Sequence, residues 1–153
     1  MANSMHHIEM DLPIYKIWSF ISDIDNWAVL VPGYTDHIIL NEKESIWKLH
    51  GDIGVINRTV SLNVHITEWV EPSNIHFHLS SLNETCIGEG YFRATAVSEK
   101  KTQVTGSLDV TIKGMMGPMV NPILKTVVPK IGKDLTEKVT VKIMEHEKLR
   151  LTV

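Results

Sequence analysis

Hydrophobic and polar positions change their period twice along the chain. Residues 5–10 alternate weakly and open as a strand. Ile14, Ile17, Trp18 and Ile21 then fall at helical spacing behind Pro13, whose missing N–H costs nothing in a first turn, with Asp11 as the expected cap. The run DIDNWAVL predicts a second short helix or turn that stops at Pro32–Gly33. After Gly33 the period becomes two. Strands are predicted over 34–40 and 45–53, and most clearly over 56–68, where Ile56, Arg58, Val60, Leu62, Val64 and Ile66 alternate with polar neighbours. A turn at 71–73 leads to a strand carrying Phe77 and Leu79, and two further strands follow over 88–98 and 102–113. Beyond Gly114 the helical period returns. Val120, Ile123, Leu124, Val127, Ile131, Leu135, Val139 and Ile143 form one long stripe.

Hydrophobic matching also predicts strand register. A tight turn near Gly54–Val55 sets Trp47 against Val64, Leu49 against Leu62 and Ile53 against Arg58. The 71–73 turn sets Val64 against Leu79 and Ile66 against Phe77. Pro122 suits a first helical turn, but Pro129 and Gly132 fall deep in the stripe. Pro129 forfeits a backbone hydrogen bond and is expected to kink or split the helix. The plan is α+β: one domain over 1–153 with a curved antiparallel sheet of about seven strands around a long C-terminal helix.

Composition adds mostly exclusions. A hydrophobic fraction of 43% and a charged fraction of 22% fit a globular domain with a real core. A net charge of −3 with scattered Lys and Arg gives no basic face for nucleic acid. Cys86 is the only cysteine, which excludes an intrachain disulfide and suits a reducing cytoplasm. The opening MANSMHHIEM has neither the basic start nor the apolar run of a signal peptide, and no apolar run reaches the length of a membrane helix.

Several segments resemble a known group. PIYKIWSFISD at 13–23, NWAVLVPG at 26–33, GEGYFRATAV at 88–97 and the Met/Gly/Pro entry to the last helix are similar to the START-like, polyketide-cyclase-like (SRPBCC) superfamily, and within it to the CoxG-like family of carbon monoxide dehydrogenase accessory proteins. The resemblance covers nearly the whole chain and implies a helix-grip fold. It implies a possible place beside a molybdenum hydroxylase or at a membrane surface, and it carries over no catalytic residue.

Candidate chemistry is sparse. His65, His76 and His78 share a strand face, and three imidazoles on adjacent strands can hold zinc. That face also carries Asn63, Thr67 and Ser80, so it reads as solvated, and no metal is expected. Gly114 and Gly117 lack a phosphate-loop pattern, no nucleophile–base pair stands out, and no cofactor is expected. Trp18 and Trp27 are expected to pack the short helices. Arg58 and Glu68 are the charged exceptions on the apolar face of the central strand, placed either to hold a polar ligand head or to snorkel to water.

The expected function is binding or carriage of a hydrophobic small molecule, such as a lipid, quinone or polycyclic compound. The alternatives are a cyclase, dehydratase or hydrolase acting in the same space, for which Arg58, Glu68, Asp36 and Tyr34 are the few candidates, and a solid domain that works through protein contacts. Gly51, Gly90, Ala94, Ala96 and Gly106, if turned inward, leave that space roomy. Its wall is expected to be Trp47, Leu49, Val60, Leu62, Val64, Phe77, Leu79, Phe92, Leu108 and Val110. Met119, Ile123 and Val127 form the lid, with Met115, Met116 and Met144 as adaptable filling.

Overall fold

The computed structural model describes residues 2–53, 56–81 and 85–152. Strand β1 (Ala2–Met10) leads to α1 (Ile14–Ile21), α2 (Ile24–Trp27) and a 3-10 turn at Ala28–Leu30. Six strands follow: β2 (Tyr34–Ile39), β3 (Glu44–Ile53), β4 (Ile56–Val70), β5 (Asn74–Ser81), β6 (Cys86–Ser98) and β7 (Lys101–Ile112). Helix α3 (Gly117–Thr152) follows the last strand. One antiparallel sheet runs in the order β1-β7-β6-β5-β4-β3-β2, so β1 returns to pair with the last strand and β2 forms the far edge. This is the expected helix-grip arrangement.

Register follows the expectation at one hairpin and departs from it at another. Val64 pairs with Leu79 and Ile66 with Phe77, as the sequence predicts. On the β3–β4 side, Trp47 instead pairs with Leu62, Leu49 with Val60 and Ile53 with Ile56. The offset is two residues. Side chains repeat every two residues along a strand, so a two-residue slip leaves every apolar position on its proper face, and hydrophobic matching cannot detect it.

Two irregularities do change faces. Between Ile66 and Glu68 the β4–β5 register shifts, so Glu68 pairs with His76 and Trp69 with Ile75. Thr67 is the extra residue of a β-bulge. Glu68 therefore joins the polar face rather than the apolar one. Trp69 takes the inward phase and meets buried Trp18 edge-on, with ring centroids 5.3 Å apart. A second shift between Tyr34 and Asp36 in β2 leaves Thr35 as the extra residue, its hydroxyl donating to the Lys48 carbonyl at 2.8 Å.

Asp11 does not cap α1. Pro13 holds the N-cap position with extended backbone and no side-chain bond. Asp11 and Glu9 both lie beside Lys101, at 3.8 and 3.2 Å. The hydrogen bond and charge of Glu9, with the charge of Asp11, hold the Lys101 ammonium above its ordinary range.

Helix α3 is not split. It runs unbroken from Gly117 to Thr152 with Pro122 and Pro129 both inside it, so Pro122 lies more than a turn from the start. Pro129 removes the bond to the carbonyl of residue 125, but both Pro129 and Lys125 lie on the exposed side, where water can take that carbonyl. Burial on the opposite side holds the helix together across the defect. Val120, Leu124 and Val128 are buried against Leu108, Val110 and Ile112. Farther along, Val139 and Ile143 join Met10, Leu12, Ile17, Trp18, Phe20 and Ile21 in a second core.

Between these two cores the helix presents small residues. A β-carbon at Gly132 would collide with the side chain of Ser4, and one at Gly106 would come within 3.0 Å of Thr136 Oγ1. The Thr136 hydroxyl donates to the Gly132 carbonyl at 2.7 Å. Gly132 is therefore a seat for the helix on β1 rather than a flexible joint.

Candidate functional site

Residues directly opposite in an antiparallel ladder share a face. One row of inward positions runs Val64, Leu79, Gly88, Val110 across β4, β5, β6 and β7. The next runs Ile66, Phe77, Gly90, Leu108 and ends at Ser4 of β1. A third joins Ile75, Phe92 and Gly106. Leu49–Val60 and Trp47–Leu62 extend the face toward β2. All ten expected wall residues thus belong to one face of the sheet.

Their packing divides them. Leu108 and Val110 are taken up by the α3 core and Phe92 by the core around α1. Trp47 is buried in an aromatic group with Trp27, Tyr34 and His37, its centroid 5.8, 6.1 and 5.3 Å from theirs. The indole N–H of Trp47 donates to Ser45 Oγ at 2.9 Å, and that of Trp27 to the Ile21 carbonyl at 2.9 Å. Among the described residues, Leu49, Val60, Leu62, Val64, Phe77 and Leu79 belong to neither core cluster. Helix α3 seats on β1 and β7, at one end of the sheet. Leu49, Val60, Val64 and Phe77 are consequently only partly buried, although they are apolar and inward in phase.

The expected small residues do not all leave room. The ring of Phe77 lies over Gly90 and the side chain of Leu79 over Gly88. Thr136 lies over Gly106, and Ala94 is buried in register with Val104. Gly51 does open onto free space, because a β-carbon added there would meet nothing within 4 Å. Gly51 pairs with Arg58, whose side chain lies outside the described residues.

On the helix side, Ile123, Val127 and Ile131 form a second, partly buried stripe beside the seated one. Val127 and Ile131 face Pro32 across an open groove of about 500 Å³, rimmed by Lys130, Lys133, Asp134 and Glu137. Met119 and Met116 are largely exposed at the head of α3, and Met115 is 98% exposed in the preceding turn. A second groove, of about 560 Å³, lies at the β4 bulge beside Trp69 and Lys43, apart from the expected wall.

The histidines of the opposite face stand apart. His65 lies opposite His78 as expected, and its ring is 3.6 Å from Glu44. His76 stacks on Tyr91 at 5.2 Å. Among the described residues no three His, Cys, Asp or Glu side chains are gathered closely enough to hold a metal ion. Burial raises the pKa of the Cys86 thiol, which disfavours its thiolate.

Sequence reading misses one polar constellation. The Thr35 bulge brings Tyr34 and His37 to the same face, opposite Leu49 and Trp47, where a regular strand would place residues three apart on opposite faces. Tyr34 Oη lies 2.6 Å from His37 Nδ1, and His37 Nε2 lies 2.8 Å from Asp25 Oδ1.

A family model matches residues 1–147 of the chain, and the solved structures with the same architecture include a START superfamily protein from Mycobacterium smegmatis. The chain belongs to the START-like (SRPBCC) superfamily. The M. smegmatis protein is 18% identical, with 91% of this chain and 97% of that one covered at a TM-score of 0.66. The Zhui aromatase/cyclase from Streptomyces sp. R1128 is 15% identical, covering 97% and 94% at 0.59. Norcoclaurine synthase from Thalictrum flavum, in complex with dopamine and hydroxybenzaldehyde, is 13% identical, covering 94% and 87% at 0.63. At these identities the likeness extends this START-like domain's fold, not its activity. No curated protein sequence matches the chain. Among the described residues no helix is long and apolar enough to cross a membrane.

Proposed function

We propose that this START-like domain binds and carries an apolar small molecule between the inward face of β3–β5 and the Ile123–Val127–Ile131 stripe of α3. The observation that carries this reading is the incomplete burial of Leu49, Val60, Val64 and Phe77. The helix is committed to β1 and β7, so inward apolar side chains on the far strands lack a full complement of protein neighbours. A ligand that covers them recovers the hydrophobic free energy the fold leaves unused. The groove between Pro32 and Val127 is the proposed entrance. Dopamine and hydroxybenzaldehyde in norcoclaurine synthase supply a precedent for small aromatic ligands on this fold. A cyclase- or dehydratase-type reaction in the same space is the second reading, favoured by the hydrogen-bonded Tyr34–His37 pair on that face.

Within the superfamily we place the chain nearest the CoxG-like proteins, on the segments 13–23, 26–33 and 88–97. That placement suggests a cytoplasmic protein working beside a hydroxylase or at a membrane surface. The ligand-binding reading does not depend on it.

Fluorescence titration tests the proposal. The apolar probe 1-aminoanthracene should brighten and shift to the blue on binding, with a Kd of about 1–100 μM, since burying a few hundred Å² at ~25 cal/mol per Å² supplies several kcal/mol after association entropy. No change up to the probe's solubility limit would count against the binding site.

A further inference from the structure

We propose that Asp25, His37 and Tyr34 form a proton relay that receives the acidic hydroxyl of an otherwise apolar ligand, a phenol or an enol. The inference rests on the ligand site proposed above and gives it a polar end. Donor and acceptor roles follow from the chain of contacts. The Asp25 carboxylate only accepts, so His37 Nε2 carries a proton and donates it at 2.8 Å. In the neutral ring Nδ1 is then the acceptor, and the Tyr34 hydroxyl donates to it at 2.6 Å. The lone pairs of Tyr34 Oη remain available to a donor arriving from the ligand.

Position supports a role beyond packing. His37 is 11% exposed and held against the Trp47 ring, while Tyr34 is only partly buried. Tyr34 lies opposite Leu49 in the ladder, on the face assigned to the ligand, and two residues beyond Pro32 at the groove. The bulge at Thr35 creates this placement at the cost of a regular ladder bond, and bulges re-aim side chains beside functional sites. Other charged groups near the relay are Asp36, whose carboxylate accepts the His37 backbone N–H at 2.8 Å, and Lys130, Lys133, Asp134 and Glu137 across the groove.

The transfer balances without a further reactant. The ligand O–H bond breaks and its proton passes to Tyr34 Oη as the Tyr34 proton passes to His37 Nδ1. One N–H bond forms, Tyr34 stays a phenol, and the ligand anion faces an imidazolium held by Asp25. Tyr34 would touch the ligand. His37 and Asp25 act through it.

A matched pair of probes tests this: 4-nitro-1-naphthol, which changes colour on ionisation, and its methyl ether. Wild-type protein should bind the naphthol roughly tenfold more tightly than the ether, the scale of one hydrogen bond to a polarised acceptor. The bound naphthol should also show its ionised absorption band at a lower pH than the free probe. Tyr34→Phe should erase the preference and the band shift while leaving ether affinity unchanged, which also shows that the site is still folded. Asp25→Asn should move the band back toward the free probe's pH without changing ether affinity. Equal affinities in wild type, or a preference that survives Tyr34→Phe, would overturn the relay and leave the apolar site standing. Failure of both probes to bind would overturn the site and the relay together.

Discussion

Leu62→Trp is expected to abolish 1-aminoanthracene binding, weakening it at least about 100-fold, while the protein still unfolds cooperatively. Leu62 lies on the inward face with Trp47 on one side in register and Ser81 on the other. Val60 and Val64 flank it along β4, and both are only partly buried. An indole added there must occupy the space assigned to the ligand. Overpacking a core typically costs about 1–3 kcal/mol, which a domain of this size can absorb. Loss of binding with retained near-ultraviolet circular dichroism is the expected pair of observations. Unchanged probe affinity would show that the ligand lies elsewhere.

Gly132→Val should lower stability by about 1–3 kcal/mol, although valine has the better helix propensity. The new β-carbon would run into Ser4 on β1, and Ser4 cannot swing away because its own Cβ is part of the contact. At an exposed helix site the same change would be neutral or slightly favourable, so the sign itself is diagnostic. Ser4→Gly in the same chain should return most of the loss, giving a coupling energy above about 0.5 kcal/mol in chemical denaturation. Additive effects of the two changes would mean that the helix does not seat on β1 through this pair.

The fold is readable in the sequence because its signals are periodic. The switch from helical to strand spacing after Gly33 and back after Gly114 marks the real element boundaries closely, and the stripe through Leu124, Val139 and Ile143 is buried as expected. What escapes is information that period alone does not contain. A two-residue slip between β3 and β4 keeps every face, so only the turn decides it. The bulges at Thr35 and Thr67 change faces through one extra residue each. Trp69 falling out of phase with Ile66 is the available hint of the second. The first leaves no hint, and it hides the Tyr34–His37 pairing. Helix polarity also misleads. Gly132, Thr136 and Thr140 are not apolar, yet they occupy the sheet-facing side with Leu124 and Val128, because close approach to β1 requires small side chains and the threonine hydroxyls bond back to the helix's own carbonyls. Pro129 reads as a break because its local cost is visible in sequence, whereas the burial on both sides that outweighs it is not.

The central claim is that an apolar ligand lies against the far strands of the sheet and under the second stripe of α3. Methyl-labelled protein saturated with 1-aminoanthracene tests it most directly, through nuclear Overhauser contacts between the probe's ring protons and assigned methyl groups. Contacts to Leu49, Val60, Leu62 and Val64 together with Val127 or Ile131 are the predicted result. Contacts confined to the groove beside Trp69, or to the exposed methionines at the head of α3, would contradict it.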